Sequence, residues 1–432
     1  MNTKLLSEWL GLNWISNPEE IVEATEQSIK KFEEEFEKFG GAQITQEQEQ
    51  RWNAWLSSDQ GREIYAELGR RLIKTLGLIH EDLDPAHDLR HLLMVDAAAL
   101  RIIVEDGWTA NDYQRVILIS AFAHDFGRLI EFKMHSQLPG KIMPTHGYFS
   151  LLVLREVVGD LDFPEDLLMQ IYYSVAYHTG PPGKGYDLEN YLGKATQRAD
   201  REQMINLEVV ASTLAYEVAV RGFGLRSLLG ENKNYFCVST GRVTGNSLFD
   251  YLEAFSRNVI LRAGVRGEFW QKNYEKRNTI FLWLAQTEEE REQMFAPELQ
   301  KLTEIDLETP PHMRKKRIFS EEILEEVLAE VVQLPDELEK IIAGRNCEEM
   351  IWQNMKGAPE LLSSQGARDY ISTLVDKFTD EQKEKWKLAM AYVEVTRAYD
   401  KEAWHEVARQ IQGRFEEESF EFRVAELVLS RL

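Results

Sequence analysis

Apolar residues recur at spacings of three and four along almost the whole chain, as in Leu248, Phe249, Leu252, Phe255, Val259 and Ile260. That spacing lays one apolar stripe along one face of a helix, and period-two strand alternation is scarce. Boundary chemistry agrees with helices. Thr379 stands three residues before Gln382 as a capping box, Gly159 is placed to close a helix from about residue 147, and Ser320 is placed to cap the helix that follows it. The expectation is an all-α protein.

Length and composition divide the chain and remove several function classes. With 432 residues there is room for one large domain or two ordinary ones. Residues 1–58 read as an acidic N-terminal helical extension, 59–230 as a helical domain rich in Leu, Val, Ile and Ala, and 231–432 as a C-terminal helical region. The tryptophans outside 59–230 give both flanks apolar anchors of their own, so neither reads as a disordered tail. A net charge of −23, from 73 acidic and 50 basic residues, repels a phosphate backbone and argues against duplex nucleic acid as a partner. Only two cysteines, Cys237 and Cys347, exclude a disulfide framework and cysteine-rich zinc modules, which suits a reducing cytoplasm. Lys4 and Glu8 interrupt the first apolar stretch, and no uncharged run reaches the roughly 18 to 20 residues a bilayer span needs. No leader and no membrane association are expected.

The common nucleotide and nucleophile motifs are missing: there is no G-x-x-x-x-G-K-[ST] loop, no G-x-S-x-G elbow and no C-x-x-C pair. What stands out is histidine. Seven of the nine fall between 80 and 178, and His91, His124, His146 and His178, followed by Asp200, are separated by 33, 22, 32 and 22 residues. Intervals of that size fit one or two helices with their connections, so successive ligands can come from neighbouring helices and converge. Imidazoles with carboxylates suit iron, manganese, zinc or similar divalent ions. The sharpest element is His124-Asp125, which ends the uncharged run Val116 to Ala123. An aspartate at the end of a fully buried helix requires a strong compensating partner, and a metal ion is one. A carboxylate there can bridge two metals, which together deprotonate a water near neutral pH.

These words resemble the HD superfamily of metal-dependent phosphohydrolases, an all-helical bundle named for its His-Asp doublet. DPAHDLRHLLMV is similar to the first motif, with His91 as ligand, and AHDFGRLIEF is similar to the His-Asp motif in its bacterial H-D-I-G-R-F form. THGYFSLLVL, IYYSVAYHTG and KATQRADREQ supply His146, His178 and Asp200, so the resemblance covers about residues 80–210. It implies two divalent metal ions, iron or manganese first, with zinc, nickel, cobalt or magnesium as alternatives. His91, His124, Asp125 and Asp200 would hold one ion and His146 and His178 the other, with Asp125 bridging.

The same resemblance makes Arg128 the residue aimed at substrate phosphate, a role that suits a bidentate guanidinium. Asp125 and Arg128 are thus the catalytic candidates, and the expected reaction is hydrolysis of a nucleotide-like or other small phosphorylated substrate. Cyclic dinucleotides are a minor option, because TGPPGKGYD after His178 only partly matches the loop of the HD-GYP subset, with Tyr177 and Asp187 departing from it. Two other readings stand beside hydrolysis: an HD-fold mixed-valent di-iron oxygenase, and a sensor or scaffold without catalysis. His80 and His135 carry no role in the pattern, and His87 shares a helix face with His91 only if that helix extends so far. The helical flanks leave a lid, a second domain or a homo-oligomer interface open.

Overall fold

The computed structural model describes residues 18–79, 89–105, 113–128, 130–131, 144–179, 190–204, 236–237, 242–243, 338–354 and 364–432. Contacts group the chain into two compact units, one of residues 1–203 with 401–432 and one of 204–400. This grouping does not coincide with the compositional one, because apolar faces of the N-terminal and last helices are used within the first unit. Among the described residues the secondary structure is helical apart from one two-residue antiparallel pair, as the periodicity predicts.

In the first unit the order is α1 (Pro18–Lys38), α2 (Gln46–Ser57), α3 (Asp59–Ile79), α4 (Leu89–Glu105), a 3-10 turn at Tyr113–Val116, α5 (Ile117–Ala123), α6 (His146–Val158), α7 (Glu165–Ala176) and α8 (Tyr191–Met204). Its sequence resumes at residue 401. The second unit holds β1 (Phe236–Cys237) paired with β2 (Arg242–Val243), followed by α9 (Cys347–Asn354) and α10 (Ser364–Val375). The long α11 (Asp380–Gln412) follows, and α12 (Phe420–Arg431) ends the chain. Within the second unit α9 packs on α10, with the Arg368 guanidinium 4.2 Å from the Trp352 ring centre, and Cys347 is buried as a free thiol. The periodic stretch 248–260 and the Ser320 cap lie outside the described residues.

Local chemistry accounts for the boundaries. Thr45 and Gln48 form a full capping box at the start of α2, the Gln48 side chain accepting from the Thr45 N–H at 2.9 Å and the Thr45 hydroxyl accepting from the Gln48 N–H at 3.3 Å. α6 ends as read from sequence, at Gly159, whose φ of 55° only glycine takes readily and whose N–H reaches the Arg155 carbonyl. α11 begins directly after Thr379. Glu165 and Asp166 occupy the first turn of α7, where negative charge is favoured by the helix dipole.

The core of the first unit is built around α5, whose seven residues are all buried. α4 packs against it on one side and α7 on another, while α6 lies against α7 and α1 covers both α6 and α7. α12 lies on α4 and α3, placing Phe420 against Tyr65 and Phe122 with ring centres 5.9 and 5.6 Å apart. α8 is tied in by side chains: Gln197 donates to the Tyr177 carbonyl at 3.3 Å and Arg198 pairs with Glu105 of α4 at 2.9 Å. Helix ends from α5, α6 and α7 therefore meet beside α4 and α8. No helix among the described residues is long and apolar enough to cross a membrane.

Candidate metal centre

His91 comes from the first turn of α4, His124 and Asp125 from the turn that ends α5, and His146 from the first residue of α6. His178 follows the end of α7, and Asp200 lies on α8. Two glycines let the backbones come this close. A Cβ on Gly127 would lie 2.3 Å from the His146 carbonyl oxygen, and one on Gly147 would lie 2.5 Å from that of Ala176. Gly127 also donates its N–H to the Ser150 hydroxyl at 2.8 Å, fixing the His-Asp turn against α6.

The structure brings all six sequence-predicted ligand residues together. Asp125 sits at the centre with its side chain 2% exposed, and its two oxygens face different imidazoles. Oδ2 lies 3.2 Å from His124 Nε2 and 3.4 Å from His91 Nε2, while Oδ1 lies 3.2 Å from His146 Nε2 and 3.8 Å from His178 Nε2. Asp200 Oδ1 joins the first set, 3.6 Å from His124 Nε2 and 3.7 Å from His91 Nε2. Atoms each about 2.1 Å from one ion are at most about 4.2 Å apart. Every one of these separations falls inside that limit. Three groups could hold a metal ion: His91, His124 and Asp125; His124, His178 and Asp200; and Asp125, His146 and His178.

The donor set has the chemistry of a cation site. His124 Nδ1 donates to the Ala121 carbonyl at 2.6 Å and His178 Nδ1 to that of Val175 at 2.7 Å, so each ring in its neutral form turns an unprotonated Nε2 inward. His146 Nδ1 lies 3.4 Å from Glu131, which likewise turns its Nε2 inward, and the His146 and His178 Nε2 atoms are 2.8 Å apart. Among the described residues His124 Nε2 is buried without a hydrogen-bond partner, 3.2 Å from Asp125 Oδ2. Lone pairs and carboxylate oxygens crowded together out of water repel one another unless a positive charge sits among them. A bound metal ion would supply that charge.

Proton affinities show the same imbalance. Burial acts against a charged His124, yet Asp125 and Asp200 outweigh it and hold the ring well above the usual histidine range. Burial also opposes ionisation of Asp200, but His124 and His178 overcome it and its carboxyl stays below the usual range. His178 is pushed down to about 3 by burial and by neighbouring His146 and His124, and therefore remains neutral. The cluster attracts one positive charge at His124 while keeping His178 free to donate a lone pair.

Arg128 is at the edge of this centre, its side chain 26% exposed, with Nε 3.3 Å from Asp125 Oδ1 and a terminal nitrogen 3.1 Å from Glu131. Glu131 is the residue that sequence reasoning missed. It lies near the end of the AHDFGRLIEF segment, and its one visible signal was a carboxylate six residues after Asp125. His80, His87 and His135 lie outside the described residues, as does the loop with Gly183, Gly185, Tyr186 and Asp187.

No protein-family model, curated protein or solved structure matches the chain.

Proposed function

We propose that this protein is a metal-dependent phosphohydrolase of the HD type, acting on a nucleotide-like or other small phosphorylated substrate. The observation that carries the reading is the division of labour at Asp125, whose oxygens each face a separate pair of imidazoles. A carboxylate so placed suits a bridge between two divalent ions. His91, His124 and Asp200 complete one position and His146 and His178 the other. Iron or manganese suits this mixture of imidazole and carboxylate donors.

Bound metals would supply a water activated near neutral pH and positive charge opposite the phosphoryl oxygens. The chain's own residues do the rest. Asp125 keeps the two halves of the site in register, and the rigid turn at Gly127 holds it there. Arg128, with one edge on Asp125, would steady a phosphoryl oxygen at the rim. The net charge of −23 favours a compact substrate over a long polyanion.

The test is anaerobic phosphate release from a panel of phosphomonoesters, nucleotides and cyclic dinucleotides, using metal-loaded protein. Release that is lost in Asp125→Ala is expected. Oxygen-dependent consumption of substrate by iron-loaded protein, without phosphate release under nitrogen, would place the protein among the di-iron oxygenases instead.

A further inference from the structure

Three histidines of the centre must keep Nδ1 protonated to direct Nε2 inward, and their positions on helices decide how. His124 and His178 follow the C-terminal ends of α5 and α7, where the last carbonyls of a helix lack partners within it. Each ring takes the carbonyl three residues back, Ala121 or Val175. His146 is the first residue of α6, where the spare backbone groups are N–H donors and no helical carbonyl precedes it.

Glu131 fills that gap from outside the helix. One of its oxygens accepts the His146 backbone N–H at 3.1 Å, and the other lies 3.4 Å from His146 Nδ1 and 3.1 Å from an Arg128 nitrogen. The carboxylate, its side chain 18% exposed, thus grips His146 at backbone and ring together. It also places negative charge at a helix N-terminus, where the dipole favours it.

We propose that Glu131 is the positioning residue of the second metal position, the one formed by Asp125, His146 and His178. It fixes the tautomer and angle of His146, and an anionic acceptor on Nδ1 makes that imidazole a stronger donor than one bonded to a neutral carbonyl. The first position, built on His91, His124 and Asp200, does not depend on it. This inference rests on the dinuclear reading above, and its test separates the two.

Full-length protein stripped with chelator is titrated anaerobically with Mn²⁺, following stoichiometry and the electron paramagnetic resonance spectrum. Wild type should take two equivalents and show a coupled pair. Glu131→Ala should keep one tight equivalent, weaken the second by about 10- to 100-fold and show the six-line signal of an isolated ion. Glu131→Gln preserves size and an acceptor oxygen without the charge, so it should weaken the second position less, and it serves if the alanine variant does not fold. Two equivalents with unchanged affinities and coupling in a folded Glu131→Gln and Glu131→Ala would overturn the role of Glu131, as would equal weakening of both positions. Fewer than two equivalents in wild type would instead overturn the dinuclear reading.

Discussion

At Arg115 and Glu421 a cation and an anion of the chain face each other in the core, with Nε 3.6 Å from Oε1 and both side chains at most 7% exposed. At Asp125, a different part of the same unit, the inward-facing groups are imidazole nitrogens and carboxylate oxygens, all of them acceptors when the rings are neutral and their outer nitrogens are bonded. In the first cluster Arg115 opposes the burial that raises the proton affinity of Glu421; it also stacks over the Tyr65 ring at 4.8 Å, and the Tyr65 hydroxyl donates to the Arg115 carbonyl at 3.3 Å. The second holds Asp125 and Asp200 close together with Arg128 at one edge, and a bound cation would balance it. Burial of ionisable groups is therefore not by itself a mark of function. The sign left over after the chain's own pairs are matched is what separates a structural lock from a binding site.

Breaking the lock should have the larger effect on stability. Arg115→Ala leaves Glu421 buried beside no cation and should cost about 3 to 5 kcal/mol, read from chemical denaturation. Replacing both partners, as Arg115→Met with Glu421→Leu, should recover most of that loss, because well-packed apolar groups often replace a buried pair with little penalty. Metal content per folded chain should be unchanged in the double variant. A fall in metal content there would show that the two clusters are not separate.

Asp96 sharpens the comparison through pH. It lies on α4, fully buried, and among the described residues neither carboxylate oxygen has a hydrogen-bond partner. Burial raises its proton affinity well above the usual aspartate range, and the nearby His124 only partly offsets this. In the unfolded chain an aspartate ionises near pH ~3.9. Between that pH and its raised folded value, the unfolded state binds fewer protons, so stability falls as pH rises, by up to about 1.4 kcal/mol per pH unit. Metal-free Asp96→Asn should lack this component: relative to wild type it should gain stability from pH 4 to pH 7. Parallel denaturation curves across that range would mean that Asp96 is not held protonated.

How much of this was legible in the sequence follows the range of the interactions. Helical type follows from periodicity, a local property, and Gly159 marks a helix end because its backbone requirement is local too. The six candidate ligand residues stood out because their residue types are costly to bury and their intervals fit successive helices. Glu131 did not, because its meaning depends on His146 starting a helix beside it. Glu421 was hidden for a similar reason: its partner Arg115 is distant in sequence. A signal was present, since Glu421 falls in the apolar stripe of Phe420, Val424, Ala425 and Val428, where an acid needs an explanation. Placement of the last helix in the first unit could not be read from composition, which shows that a face is apolar and not what it covers.

The most direct test of the central claim is metal analysis of anaerobically purified full-length protein, compared with Asp125→Ala. Two equivalents of a divalent transition metal per wild-type chain are expected, falling to one or none when the carboxylate shared by both positions is removed. Less than one equivalent in wild type, even after reconstitution, or unchanged content in folded Asp125→Ala, would contradict it.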